Sequence, residues 1–184
     1  MRFSNLAPLT IGVLLLASLS GCAPSGTPES PEPTATFVAP YATDEEALAA
    51  AEEAYAEYLR VSNEILHAGG TDPERLSTVA VGPFLDSSID SFKEQQAEGH
   101  IVTGKSSIRS VELQRYSRTG PSREMITVYL CEDLSLVDVM DSKGKSVVSP
   151  DRGDSILLQV TFDFVESSSA LMVAGSEKWS DEPC

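Results

Sequence analysis

Apolar and polar positions follow two different periods along this chain, and the change falls near Gly99. Before it, Leu48, Ala51, Tyr55, Tyr58, Leu59, Ile65 and Leu66 recur at helical spacing. They predict a long helix opened by the capping box Thr43-Asp44-Glu45-Glu46 and stopped by Gly69-Gly70. Thr71-Asp72-Pro73-Glu74 predicts a short second helix with Pro at its first position. Phe84, Leu85, Ile89 and Phe92 share one face of a third, which ends at Gly99. Beyond Gly99 the period is two. Strands are expected over 101–103, 108–116, 125–131, 136–140, 156–164 and 171–179, with turns at Thr119-Gly120-Pro121-Ser122, Asp141-Ser142-Lys143-Gly144 and Ser167-Ser168-Ser169. The clearest strand carries Ile156, Leu158, Val160, Phe162 and Phe164 on one face and Gln159, Thr161 and Asp163 on the other. Helices first and strands afterwards, joined by short turns, give an α+β fold with an antiparallel sheet packed on helices.

The N-terminus has a different character. Arg2 precedes an apolar stretch over 6–19, too short and too poorly flanked for a stable membrane span, so residues 1–21 are expected to be a secretory signal. Leu19-Ser20-Gly21-Cys22 resembles the lipobox of bacterial lipoproteins, in which the cysteine is acylated and becomes the mature N-terminus. That resemblance implies lipidation of Cys22 and a protein anchored at the extracytoplasmic face of the cell membrane; ordinary secretion is the alternative. Residues 23–40 hold Pro24, Pro28, Pro31, Pro33 and Pro40 among small polar residues, a composition expected to form an extended spacer. At about 3.1 Å per residue it reaches roughly 50 Å. Phe37, Val38 and Tyr41 are expected to dock on the folded domain, which occupies 42–184.

The chain carries 13 Lys and Arg against 28 Asp and Glu, a net charge of −15, and removal of Arg2 takes the mature form one unit further. Such acidity disfavours nucleic acid and anionic headgroups as partners, so attachment to a membrane must come from acyl chains. With Cys22 assigned to lipid, Cys131 and Cys184 are left, and in an oxidising compartment a structural disulfide between them is the economical assignment. A redox role is the rival, but no CxxC pair is present.

Several motifs have bland explanations that outweigh the sharp ones. Gly99-His100-Ile101-Val102-Thr103-Gly104-Lys105-Ser106 satisfies the phosphate-loop pattern letter for letter. That loop needs a strand before it and a helix after it, and here the order is inverted. Arg152-Gly153-Asp154 matches an integrin-recognised tripeptide, and also suits a strand connection. His67 and His100 stand near helix ends, where the dipole favours them, and no HExxH, CxxC or spaced carboxylate cluster accompanies them. No metal or cofactor is therefore expected. No GxSxG elbow is present either.

Tyr55-x-x-Tyr58-Leu59, the run Gly69-Gly70-Thr71-Asp72-Pro73-Glu74-Arg75-Leu76, Leu130-Cys131-Glu132-Asp133 and the stretch 179–184 resemble lipoproteins of high-GC Gram-positive bacteria. Those are similar to the nuclear-transport-factor-2-like (ketosteroid-isomerase-like) superfamily, and the likeness spans about residues 42–184. It implies a cone-shaped fold in which a curved sheet wraps the long helix and leaves a pocket at its open end. Enzymes of the superfamily use a pocket Asp or Glu as a base, sometimes with an Arg or Tyr partner. Tyr55, Tyr116, Tyr129, Asp138 and Asp163 are the pocket candidates here, with Glu112 and Arg115 on a neighbouring strand. Alternation, however, turns Asp163 away from the apolar face of its strand.

The expectation is a membrane-anchored lipoprotein, not an enzyme, whose domain binds a small apolar ligand or a cell-envelope protein. The alternative is an isomerase or dehydratase using a pocket acid as base. Solute capture for a transporter is weaker, because the domain is too small for a two-lobed clamp. A lone carboxylate in the cone interior with a donor such as Tyr116, Tyr129 or Arg115 within hydrogen-bond reach would raise the enzyme reading; a purely apolar interior would favour binding.

Overall fold

A computed structural model of the protein describes residues 37, 38, 40–120, 124–182 and 184, all within the unit Thr34–Cys184. The signal segment, Cys22, the linker up to residue 36 and the turn positions Pro121 and Ser122 lie outside the described residues.

Helix α1 (Asp44–His67) begins where its sequence says it should. The Thr43 hydroxyl accepts from the Glu46 N–H at 3.1 Å, and three acids occupy the first turn. The Glu46 carboxylate reaches back to the N–H of Ala42 at 2.8 Å, one residue before the cap. Its buried stripe is Ala47, Ala51, Tyr55, Val61, Ser62 and Ile65. Gly69 and Gly70 then stop it at positive φ. At Gly70 the requirement is also steric, because a β-carbon there would stand 2.4 Å from the Phe92 carbonyl oxygen.

The second helical segment, Pro73–Thr78, is a 3-10 helix and not an α-helix. Asp72 lies in the left-handed region (φ 53°), and its side chain makes no capping hydrogen bond. Helix α2 (Gly82–Glu98) follows and ends on Gly99 at φ 70°.

Among the described residues, eight strands come from the period-two half and its N-terminal partner: β1 (Phe37–Val38), β2 (Ile101–Thr103), β3 (Ser107–Tyr116), β4 (Thr119–Gly120), β5 (Glu124–Asp133), β6 (Asp138–Met140), β7 (Ser155–Val165) and β8 (Ala170–Ser180). The main sheet is antiparallel in the order β3-β5-β7-β8; β1 pairs with β4 and β2 with β6. The protein is therefore α+β, as the two periods require. Thr119 and Gly120, expected only as a turn, instead pair with Val38 and Phe37, which docks that segment on the domain.

Alternation builds the main core. Ile126, Val128 and Leu130 of β5 stand in register with Phe162, Val160 and Leu158 of β7 and meet Ala47, Ala51 and Tyr55 of α1. A second cluster, with Ile65, Leu76, Ala80 and Phe92, joins the end of α1 to the 3-10 helix and α2. Val79 and Val81 exchange backbone hydrogen bonds with Val173, which shields the edge of β8 there. Cys131 and Cys184 are joined by a disulfide with Cα atoms 5.8 Å apart, so the C-terminus is fastened to β5.

Candidate functional site

Alternation along β5 puts Glu132 on the same face as Ile126, Val128 and Leu130, where an apolar residue would be expected. It is 8 % exposed. The hydroxyl of Tyr55, itself 2 % exposed, donates to its Oε2 at 2.9 Å across the gap between helix and sheet. Ala47 and Ala51 let the first half of α1 approach the sheet closely. From Tyr55 onward larger side chains intervene, and a cleft of about 270 Å³ opens beside the pair.

The cleft is lined by Tyr55, Tyr58, Ser62, Phe84, Phe92 and Glu132, with Leu59, Leu158 and a few small polar groups completing it. The rings of Tyr55 and Tyr58 have centroids 5.5 Å apart, and those of Tyr58 and Phe84 5.7 Å. Buried polar side chains among the described residues are Ser62, Thr127 and Glu132, and two of these three face this one space. No Lys, Arg or His lines it among the described residues. The Ser62 hydroxyl lies near enough to the Tyr58 phenol to temper that group's upward pKa shift. Its oxygen is nevertheless buried with no partner at hydrogen-bond geometry among the described residues. Burial pushes the Tyr55 phenol well above its ordinary pKa, and the negative charge of Glu132 adds to the effect.

Chemically, the carboxylate holds a single phenolic donor and has lone pairs left over. A cleft with apolar walls and a few convergent polar groups is the usual form of a small-molecule site.

Of the five expected pocket residues, Tyr55 alone lines this cleft. Tyr116 ties the backbone of Tyr41 to β3. Tyr129 packs against Trp179 with ring centroids 4.7 Å apart and planes tilted by 44°. Asp138 accepts from the Val139 N–H at 2.8 Å and the Ser146 hydroxyl at 2.6 Å, holding the turn after β6. Asp163 is half-buried, in register between Glu124 and Met172. Glu132 is not among the pocket residues that the sequence suggests, yet the apolar alternation of β5, continued from Leu130 by two residues, points to it.

The motifs resolve structurally. Gly104 and Lys105 turn the chain from β2 into strand β3, so no helix N-terminus follows the phosphate-loop pattern. Arg152 donates to the carbonyls of Leu134 and Val137, both at 2.8 Å, which commits its guanidinium to the fold. His67 Nε2 lies 2.6 Å from the Gly104 carbonyl, and His100 pairs with Glu98 at 3.0 Å. A larger groove of about 530 Å³ flanks α1 beside Arg60, His67 and Lys105. There Arg60 is already engaged by Glu57 and Glu64, whereas the smaller cleft is the one on which the buried polar side chains Ser62 and Glu132 converge. Among the described residues no group of three or more His, Cys, Asp or Glu could hold a metal ion, and no helix is long and apolar enough to cross a membrane.

No protein-family model matches the chain, and no curated protein matches it either. Among solved structures it is similar to the intermembrane space region of the chloroplast protein ARC6, with a TM-score of 0.51 and 12 % identity, covering 71 % of this chain and 95 % of that one. A de novo designed β-sheet protein aligns over 71 % of this chain and 92 % of its own at 16 % identity, with a TM-score of 0.30. At such identities the first likeness speaks for the fold alone: helices packed on an antiparallel sheet.

Proposed function

We propose that the protein is an exported lipoprotein, held by acyl chains on Cys22 at the extracytoplasmic face of the membrane, whose domain binds a small ligand in the cleft beside Tyr55 and Glu132. The observation that carries the binding part is the convergence of two buried polar side chains, Ser62 and Glu132, on one aromatic-walled space. Support for the anchor comes from Leu19-Ser20-Gly21-Cys22, and the Cys131–Cys184 disulfide fits an oxidising compartment. We read the packing of α1 on one face of the main sheet, with a cleft near the far end of the contact, as the cone of the nuclear-transport-factor-2-like superfamily.

Two measurements test this. Mass spectrometry of the mature N-terminus should find acylated Cys22, and Cys22→Ala should release the protein from the membrane fraction; an unmodified N-terminus would overturn the anchor. For the cleft, a ligand-observed NMR screen of small fragments against the mature protein in detergent should find binders that Ser62→Phe, which fills the space, eliminates. Binders indifferent to that substitution, or none, would overturn the binding site.

A second reading has a specific observation behind it. A carboxylate paired with a phenol in a cleft is the arrangement of a general base and its orienting donor. An isomerase or dehydratase would use Glu132 to move a proton. It ranks second because the Tyr55 proton is committed to Glu132, leaving only uncharged hydroxyl and amide groups to stabilise a developing oxyanion. Glu132→Gln distinguishes the two: turnover of any substrate should vanish on the enzyme reading, with binding of neutral fragments retained on both.

A further inference from the structure

We infer that the cleft takes a small organic ammonium ion, an alkyl- or arylamine whose charged head meets Glu132 and whose body lies against the aromatic wall. The inference rests on the reading of the cleft as a ligand site and names the ligand class. Among the described residues, Glu132 is a buried carboxylate accepting one hydrogen bond, from Tyr55, and no cationic side chain lines the cleft. A buried charge of that kind is stabilised only when paired and hydrogen-bonded, and a single phenol does the second part alone.

Three further features select a cation. Tyr55, Tyr58 and Phe84 all line the cleft, the Tyr58 centroid lying 5.5 Å from that of Tyr55 and 5.7 Å from that of Phe84, and an aromatic ring attracts a cation held over its face within about 6 Å. The Ser62 hydroxyl, 6 % exposed and near the Tyr58 phenol but without a partner at hydrogen-bond geometry among the described residues, offers an acceptor to the same space. An ammonium head carries three donors and no acceptor, which matches a carboxylate plus a hydroxyl. A carboxylate ligand would be repelled by Glu132 and by the net charge of −15, and a neutral alcohol would leave the Glu132 charge uncompensated. At about 270 Å³ the cleft lies at the small end for a ligand site, a size that suits a compact amine.

The experiment titrates benzylammonium, benzyl alcohol and benzoate into the mature protein in detergent at pH 7 and low salt, by calorimetry. Benzylammonium should bind at least tenfold more tightly than benzyl alcohol, and benzoate should not saturate. Glu132→Gln should weaken benzylammonium at least tenfold while leaving benzyl alcohol within threefold, and Ser62→Phe should abolish both. If the alcohol or benzoate binds as tightly as the amine, or Glu132→Gln leaves the amine unaffected, the cation inference is overturned while the cleft survives as a ligand site. If no compound binds the wild type in a manner sensitive to Ser62→Phe, both fall. Should Glu132→Gln not fold, Tyr55→Phe replaces it: with its phenolic donor gone, Glu132 should hold the amine at least as tightly as before. A tenfold loss in that variant would overturn the proposal.

Discussion

The Tyr116 hydroxyl binds both backbone groups of Tyr41, donating to its carbonyl oxygen at 2.6 Å and accepting from its N–H at 3.1 Å. The two residues are 75 positions apart, so one phenol secures the chain just before α1 to the end of β3. The rings lie 6.2 Å apart, and the Arg118 guanidinium sits 5.4 Å from the Tyr116 centroid. Tyr116→Phe keeps the ring contact and removes both hydrogen bonds. At this half-buried position the expected loss is about 1–2 kcal/mol in urea denaturation, with faster hydrogen exchange at the Tyr41 amide. An unchanged exchange rate at Tyr41 would show that the clamp does not form in solution.

The Cys131–Cys184 bond closes a sequence separation of 53 residues, spanning β6, β7 and β8. In the chain-entropy model a loop of that size stabilises the fold by about 4 kcal/mol, chiefly by restricting the unfolded chain. Cys184→Ala should lower stability by a few kcal/mol and expose one free thiol on Cys131. Thiol titration of the denatured, unreduced wild-type mature protein should find none. Two free thiols there would remove the bridge.

What the sequence made legible follows from where local signals suffice. The boundaries of α1 were readable because Thr43, Glu46, Gly69 and Gly70 each act within a few residues of the helix end. The apolar face of β7 was readable because strand alternation is strictly local, and Leu158, Val160 and Phe162 are indeed buried. The 3-10 form of Pro73–Thr78 was not, because its pattern of caps and Pro serves either helix type and packing of Leu76 in the second cluster decides. The pairing of Thr119 and Gly120 with β1 was also hidden, since a turn composition says nothing about a partner some 80 residues earlier in the chain. The candidate site was half legible: Tyr55 was named, but Glu132 becomes chemical only when β5 is laid against α1.

Gly104 connects β2 to β3 at φ 77°, and a β-carbon there would stand 1.6 Å from the Leu136 carbonyl oxygen. This glycine therefore serves a close backbone approach and not a phosphate cradle. Gly104→Ala should cost at least about 2 kcal/mol, because both the left-handed backbone and the contact must yield. The exposed Lys105, which a phosphate loop would require, should tolerate Lys105→Ala within about 0.5 kcal/mol. Urea midpoints of the two variants decide between the readings. A silent Gly104→Ala would sink the structural one.

Alkaline titration offers a test of the Tyr55–Glu132 pair that needs no ligand. The folded-state pKa of Tyr55 is raised well above 10.0, first by burial and then by the Glu132 charge. Below pH 10 the phenol is protonated in both folded and unfolded chains, so its contribution is fully present. Above pH 10 the unfolded chain releases the proton while the folded one keeps it, so stability falls as pH rises. Tyr41, Tyr58 and Tyr116 are shifted in the same direction and share the slope, so the wild-type profile alone cannot isolate Tyr55. Tyr55→Phe can. At pH 8 it should lose about 1–3 kcal/mol, because Glu132 is left buried without its donor. Between pH 10 and 11 the gap to wild type should narrow, since only the wild type has the Tyr55 proton to lose. A gap that stays constant through pH 11 would mean that the Tyr55 hydroxyl is not buried against Glu132, and the cleft would lose the feature that distinguishes it from an ordinary packing defect.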